Sequence, residues 1–176
     1  WPEERTERIA DCAQRVIDLE KYGRVRQIGA LSSFCIPDVD ITDPVWDRRE
    51  GRATRGDYYH MLQRRERQAL EMHAREAGCD LVIDPSIEFT ANGPLARKTR
   101  LETLLSFLKA TRGDPQGGRT IDCRVAVSPT GSEGNLLIVG DWFVAESMVP
   151  RPAEGYRQTV FNWHGPTVLS WVRSFD

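Results

Sequence analysis

The clearest chemical signal in the chain is NGPLARKTR, residues 92–100, at the start of a predicted helix. Backbone N–H groups at a helix N-terminus receive anions, and Arg97, Lys98 and Arg100 crowd its first turns. Cations in that position oppose the helix dipole. The cluster therefore predicts a small anionic ligand or an acidic protein partner as its counterweight, with a solvent-facing basic edge as the plain alternative. A second polar set falls among the late strands: Asp141, Glu146, Ser147, Tyr156 and Arg157. Glu146 interrupts an apolar strand, and Arg157 lies where a hairpin would bring it across. A structural salt bridge and a pocket lining both fit, since ligands in open α/β sheets bind where strands end. If the chain is instead a small hydrolase of a phosphate-bearing substrate, His164, Glu146 and Asp141 are the groups that would carry acid–base chemistry.

Other chemistries have less to stand on. The three histidines, His60, His73 and His164, do not pair at i,i+3 or i,i+4, and no HExxH occurs. His73 falls on the apolar side of its helix and reads as a semi-buried side chain. Asp38, Asp40 and Asp43 form a run of hard carboxylates. That run lacks EF-hand spacing and is bracketed by Pro37 and Pro44, so no metal is expected. No P-loop, G-x-G-x-x-G or G-x-S-x-G is present, and no cofactor is expected. Cys12, Cys35, Cys79 and Cys123 contain no CxxC pair. Without a signal peptide, the cysteine pattern predicts reduced thiols and a cytoplasmic protein.

Composition narrows the partners. The chain holds 24 Lys+Arg against 26 Asp+Glu, a net charge of −2, which argues against a general nucleic-acid binder. Only Lys21, Lys98 and Lys109 are lysines. GC-rich codon usage explains the arginine excess as readily as selection for guanidinium groups. With 176 residues, 40% hydrophobic and 28% charged, one globular domain is expected. No apolar run approaches the roughly 18 residues of a membrane span, so no membrane contact is expected. The chain starts at Trp1 and stops at Asp176 inside a helical pattern, so residues 1–176 are expected to be a piece of a longer protein.

The elements that must position these residues follow from periodicity. Helices are predicted over 3–22, 58–77, from Pro94 onward with Leu101, Leu104, Leu105 and Leu108 as its stripe, and over the last twelve residues. Strands are predicted at about 25–36 (broken by Gly29 and ended by Pro37), 79–85, 121–127, 135–139, 142–147 and 156–163, with Gly140-Asp141 as a tight turn. Residues 37–57 read as a long polar loop. Helices between the early strands imply right-handed parallel crossovers, and the late strands are joined as hairpins. The expected fold is a single mixed α/β sheet, parallel early and antiparallel late, flanked by helices.

That series resembles one half of the phospholipase-D-like superfamily, whose signature H-x-K-x4-D, followed by G-S, lies on a strand, a turn and a returning strand. Here the corresponding stretch is GNLLIVGDWFVAES, residues 134–147. Asp141 matches the turn aspartate and Ser147 the serine of the return strand. Gly134 stands where the nucleophilic histidine belongs and Leu136 where the lysine belongs. Phosphodiester chemistry needs both an imidazole nucleophile and a cation on the phosphoryl oxygens. The resemblance thus implies a degenerate, non-catalytic member, used as a ligand-sensing domain. The expected function is the effector part of a larger bacterial-type transcription or signalling regulator, touching DNA only through a flanking domain. A structural dimerisation module is the third reading.

Trp142, Phe143, Phe161, Trp163, Trp171 and Phe175 crowd the C-terminal fifth of the chain. Consecutive residues of a strand point to opposite faces, so Trp142 and Phe143, both in the predicted strand, are not expected to enter the same core layer. This predicts an aromatic ring left over for a second surface, most simply a homodimer.

Overall fold

A computed structural model of the protein describes residues 14–29, 31–35, 46–47, 52–53, 55–83, 93–112, 122–128, 134–148 and 158–176. The order along the chain is a helical segment α1 (14–17), β1 (Val25–Gly29), a 3-10 turn η1 (Ser32–Cys35), β2 (Trp46–Asp47) and β3 (Arg52–Ala53). There follow α2 (Arg55–Ala77), β4 (Cys79–Ile83), α3 (Gly93–Thr111), β5 (Cys123–Val127), β6 (Gly134–Val139), β7 (Phe143–Met148), β8 (Gln158–Asn162) and α4 (Gly165–Phe175). Six strands form one mixed sheet in the order β5-β4-β1-β6-β7-β8, and β2 and β3 pair as a separate ribbon. β1, β4 and β5 are parallel through α2 and α3, while β6, β7 and β8 add antiparallel neighbours beyond β1.

Register assigns the two faces. Val25, Cys79 and Cys123 share one row, and Arg26, Asp80 and Arg124 share the next. The first row belongs to the face under α2 and α3. There Val25, Cys79, Leu81, Val139 and Phe143 pack with Val16, Phe34, Leu70, Ala74, Leu104 and Phe107 in the main core. The opposite face carries Ile138 and Val144, covered by Val168, Trp171, Val172 and Phe175 of α4. α4 is tied back to the sheet by a two-pronged ion pair from Arg26 to Asp176, at 2.8 and 2.9 Å. The Asp176 side chain is 49% exposed, so its replacement by asparagine should cost no more than about 1 kcal/mol. That loss should shrink further in high salt, measurable by urea unfolding at two ionic strengths.

Several boundaries differ from the sequence reading for identifiable reasons. The first helix is not continued to residue 22: beyond residue 17 the chain bends, and residues 22–24 run straight toward β1. Gly23 is therefore not a helix stop. A Cβ there would press on the Gly140 backbone at 2.7 Å, so the residue is a close-approach point between β1 and the β6–β7 turn. The strand expected over 25–36 ends at Gly29, where φ is +131° and a side chain would collide with Asn135. Leu31 then adopts a left-handed φ of 50°, a costly conformation for a branched residue. Together these turn the chain sharply into η1.

The predicted stripe of α3 is half right: Leu104 is buried, whereas Leu101 and Leu105 are exposed. β5 was expected half-buried, yet Val125 and Val127 are exposed, because β5 is the outer strand of the sheet. Trp142 lies in the turn before β7 and not in the strand, so the alternation rule does not separate it from Phe143. Both rings join the main core with Phe161. Trp163 remains half exposed, beside Phe143 and Phe161 and under the Arg15 guanidinium. Among the described residues, no helix is long and apolar enough to cross a membrane.

Candidate ligand-binding site

The residues singled out from sequence are not gathered at one place. Lys98 is exposed and 3.7 Å from Glu102 one turn along α3. Arg100 is half-buried on the side of α3 that carries Thr103, and the Arg97 side chain lies outside the described residues. So do Tyr156, Arg157, the side chains of Ser147 and His60, and Asp38, Asp40 and Asp43. Asp141 is exposed in the β6–β7 turn, and Glu146 is five residues along β7, about 16 Å away at strand spacing. Glu146 faces Leu136 and Val160 across the sheet. His164 caps α4, its ring nitrogen Nδ1 3.0 Å from the Thr167 hydroxyl. Among the described residues, no three metal-ligating side chains come together.

A different polar group emerges inside the fold. α2 buries Leu62, Gln63, Glu66, Arg67, Leu70, His73 and Ala74, a stripe at helical spacing whose middle is polar. Its C-terminal end is fixed by His73, which is 2% exposed and accepts a hydrogen bond from the Gly23 N–H at 3.2 Å. Its middle is fixed by Arg67, whose Nη1 donates to the Ser33 carbonyl at 2.7 Å. η1 is in turn held from α3 by the Thr103 hydroxyl, which donates to the Phe34 carbonyl.

Between these two anchors α2 runs antiparallel to β1, as a right-handed crossover requires. Four residues of strand from Gly23 reach Gln27, about 13 Å, or roughly nine residues of helix back from His73. Gln27 projects from the α2 face, flanked in its row by Leu81 and Leu137. It therefore comes level with Gln63 and Glu66. Beyond it, the tight turn at Gly29 and Leu31 brings Ser33 against Arg67.

The hydrogen bonding at this place is incomplete. Gln27 Oε1, Ser33 Oγ and Gln63 Nε2 are buried and have no partner, in residues at most 9% exposed, and Arg64 Nε and Arg100 Nε are buried donor atoms that meet no acceptor, although Arg100 engages other groups. Burial pushes the Glu66 carboxyl up to about 7, with no charged neighbour contributing. These unpartnered atoms belong to β1, η1, α2 and α3 near the carboxyl end of β1, the end of a strand at which parallel sheets take up ligands. Unmet buried polar groups cost stability. A native chain retains such groups only if something offsets them.

The opposite end of the same strands provides the contrast. There Asp80, with its side chain 9% exposed, accepts from Arg24 Nε at 2.7 Å and Nη2 at 3.0 Å, and from Arg124 Nε at 2.6 Å. Burial works to raise the Asp80 pKa, but the hydrogen bonds from Arg24 and Arg124 outweigh it and hold the carboxyl below its usual range. Arg24 also reaches Asp122 at 3.1 Å. Burial, aided by the Cys123 thiol, pushes Cys79 above the usual thiol range and leaves it unreactive. The amino ends of the strands are a finished structural clamp. The carboxyl end of β1 is not finished. Against this geometry, comparison with protein-family models, curated proteins and solved structures finds no match.

The sequence reading passed over Gln63, Glu66 and Arg67 because it followed the apolar residues of α2. Their signal was positional: residues 63, 66, 67, 70, 73 and 74 share one helical face, and four of the six are polar.

Proposed function

We propose that the protein is a ligand-sensing domain whose ligand occupies the polar interior between β1, η1 and α2. The observation that carries this reading is the set of unpartnered buried atoms, Gln27 Oε1, Ser33 Oγ and Gln63 Nε2. The likeness to a degenerate phospholipase-D-like domain supports the same direction. Gly134 and Leu136 lie on β6, Asp141 in the turn and Ser147 on β7, the strand-turn-strand placement that the resemblance requires. Catalysis by that route has no imidazole or ammonium to use. A sensing domain of this kind fits the effector part of a cytoplasmic regulator that reaches DNA through another domain. The hydrolase reading gains no support from the separation of Asp141 and Glu146.

The test exploits the opposite signs expected for a structural and a binding glutamine. Replacing Gln63 by leucine removes a buried donor that has no acceptor. The ligand-free protein should gain about 1–2 kcal/mol, the cost of an unsatisfied buried group. Urea unfolding reads it directly. A loss of stability of similar size would mean that Gln63 supports the fold, and would remove the site.

A further inference from the structure

The outer edge of the sheet is unfinished in a different way. We infer that β5 is a self-association edge, on which a second copy of the chain adds its own β5 antiparallel across a two-fold axis at Val125.

Hydrogen-bond phase shows which groups of β5 are left over. In the parallel ladder with β4, the Cys79 N–H donates to the Asp122 carbonyl at 3.0 Å, and the Ser128 N–H donates to the Ile83 carbonyl at 3.0 Å. Backbone groups alternate in direction along a strand, so Arg124 and Ala126 also bond inward to β4. The N–H and C=O groups of Cys123, Val125 and Val127 therefore point away from the sheet. β5 ends the order β5-β4-β1-β6-β7-β8, and among the described residues no strand pairs with its outer side. The same three residues project their side chains on the α2 and α3 face, where Val125 is 37% and Val127 67% exposed.

Proteins that stay monomeric blunt such an edge with charge, proline or a bulge. β5 has no charge or proline on its outward-facing residues, and its register is unbroken. Its one charge, Arg124, projects from the opposite face and is drawn inward to Asp80 at 2.6 Å. The strand at the other end of the sheet, β8, differs. There the Arg15 guanidinium covers Phe161, 4.4 Å from its ring centroid, and Thr159 engages other groups.

Self-complementarity identifies the occupant. With the axis at Val125, that residue faces its own copy, and Cys123 faces Val127 of the second copy. Residues opposed in this phase exchange both hydrogen bonds, so every outward N–H and C=O of the two strands is satisfied. Valine then meets valine, and the small thiol lies beside a valine, on one apolar face. On the other face Arg124 meets Ala126 and Asp122 meets Ser128, so no like charges are opposed. An axis at Arg124 would instead set two guanidinium groups against each other. The sheet thus runs continuously through both copies.

Sedimentation velocity between about 1 µM and 1 mM should show monomer passing into dimer, because a single strand pair is a small interface. Amide exchange by NMR at low and high concentration reads the edge itself. The Val125 N–H should become several-fold more protected as the dimer forms, whereas the Ala126 N–H, bonded to β4, should be protected throughout. Val125→Pro removes only an outward donor, which an edge strand tolerates, and Val127→Lys adds a charge at an exposed position. Both variants should unfold in urea near the wild-type midpoint and raise the dissociation constant by at least about tenfold. A wild type that stays monomeric at about 1 mM would overturn the proposal. So would a dimer that leaves the Val125 amide unprotected, or one that the folded variants leave intact, since association would then use another surface. Should Val125→Pro not fold, Val127→Lys and the exchange profile decide. None of these outcomes depends on a ligand or on Gln63→Leu.

Discussion

Replacing Glu66 by glutamine should raise the stability of the ligand-free protein by about 3 kcal/mol above pH 7 and leave it almost unchanged below pH 4.5. The cause is the displacement of its carboxyl from the usual 4.5 to about 7 by burial. A group whose folded pKa is raised holds its proton more tightly when folded. Its stabilising share is therefore complete below pH 4.5 and is lost as pH rises toward 7. Glutamine is neutral throughout and does not suffer that loss. Urea unfolding of both proteins at several pH values gives two curves that coincide in acid and separate toward neutrality. Curves that stay parallel across this range would mean that Glu66 is ionised at no cost and is already paired.

The variant also isolates His73. Burial lowers the His73 pKa below its usual 6.5, and the ring accepts a hydrogen bond from Gly23, which the neutral form alone can do. Its linkage has the opposite sense, with stability lost as pH falls from 6.5 toward the folded pKa. In the wild type the two groups oppose each other on the acid side of pH 6.5. In Glu66→Gln the acid side should steepen visibly.

How far the sequence could be read depended on which physical signal each residue leaves. The mixed sheet was legible because 79–83 is a short apolar run between a glycine and a proline, and 134–148 contains a hairpin with its turn at Gly140. Those signals are local. The end of β1 was legible only in part: Gly29 marks a break within Val25 to Ile36, but only its collision with Asn135 shows that the strand ends there and does not resume. That contact joins residues over a hundred positions apart. The site was hidden for a related reason. Arg97, Lys98 and Arg100 attract attention as a cluster in sequence, while Gln27, Ser33, Gln63 and Glu66 become neighbours only when β1 and α2 pack. Polar residues on a buried helical stripe violate the pattern that specifies a fold, and such violations are where function is expected.

Such a violation needs a stable frame around it, and Asp80 tests where that frame lies. Asp80→Ala should destabilise the protein by about 3 kcal/mol, at the lower end for breaking a buried pair because both arginines reach solvent. The carboxylate receives bonds from Arg24 and Arg124, so its loss leaves the Arg24 guanidinium, 22% exposed, with the outer carboxylate of Asp122 and a long bond to the Ala77 carbonyl. Asp122→Ala should matter far less, since that side chain is 64% exposed and screened by water. In acid the wild type should approach the variant. The Asp80 pKa is depressed, so its contribution is present above the usual carboxylate range and fades as pH falls through the folded value. Urea unfolding of the two variants and of Arg24→Ala with Asp80→Ala measures the coupling directly. If Asp80→Ala lies within about half a kcal/mol of wild type, the clamp does not hold the strand ends, and the frame must come from the apolar core alone. If the coupling is large, the amino ends of β1, β4 and β5 are pinned in register by charge, and the opposite end of β1 can carry unpartnered groups without loosening the sheet.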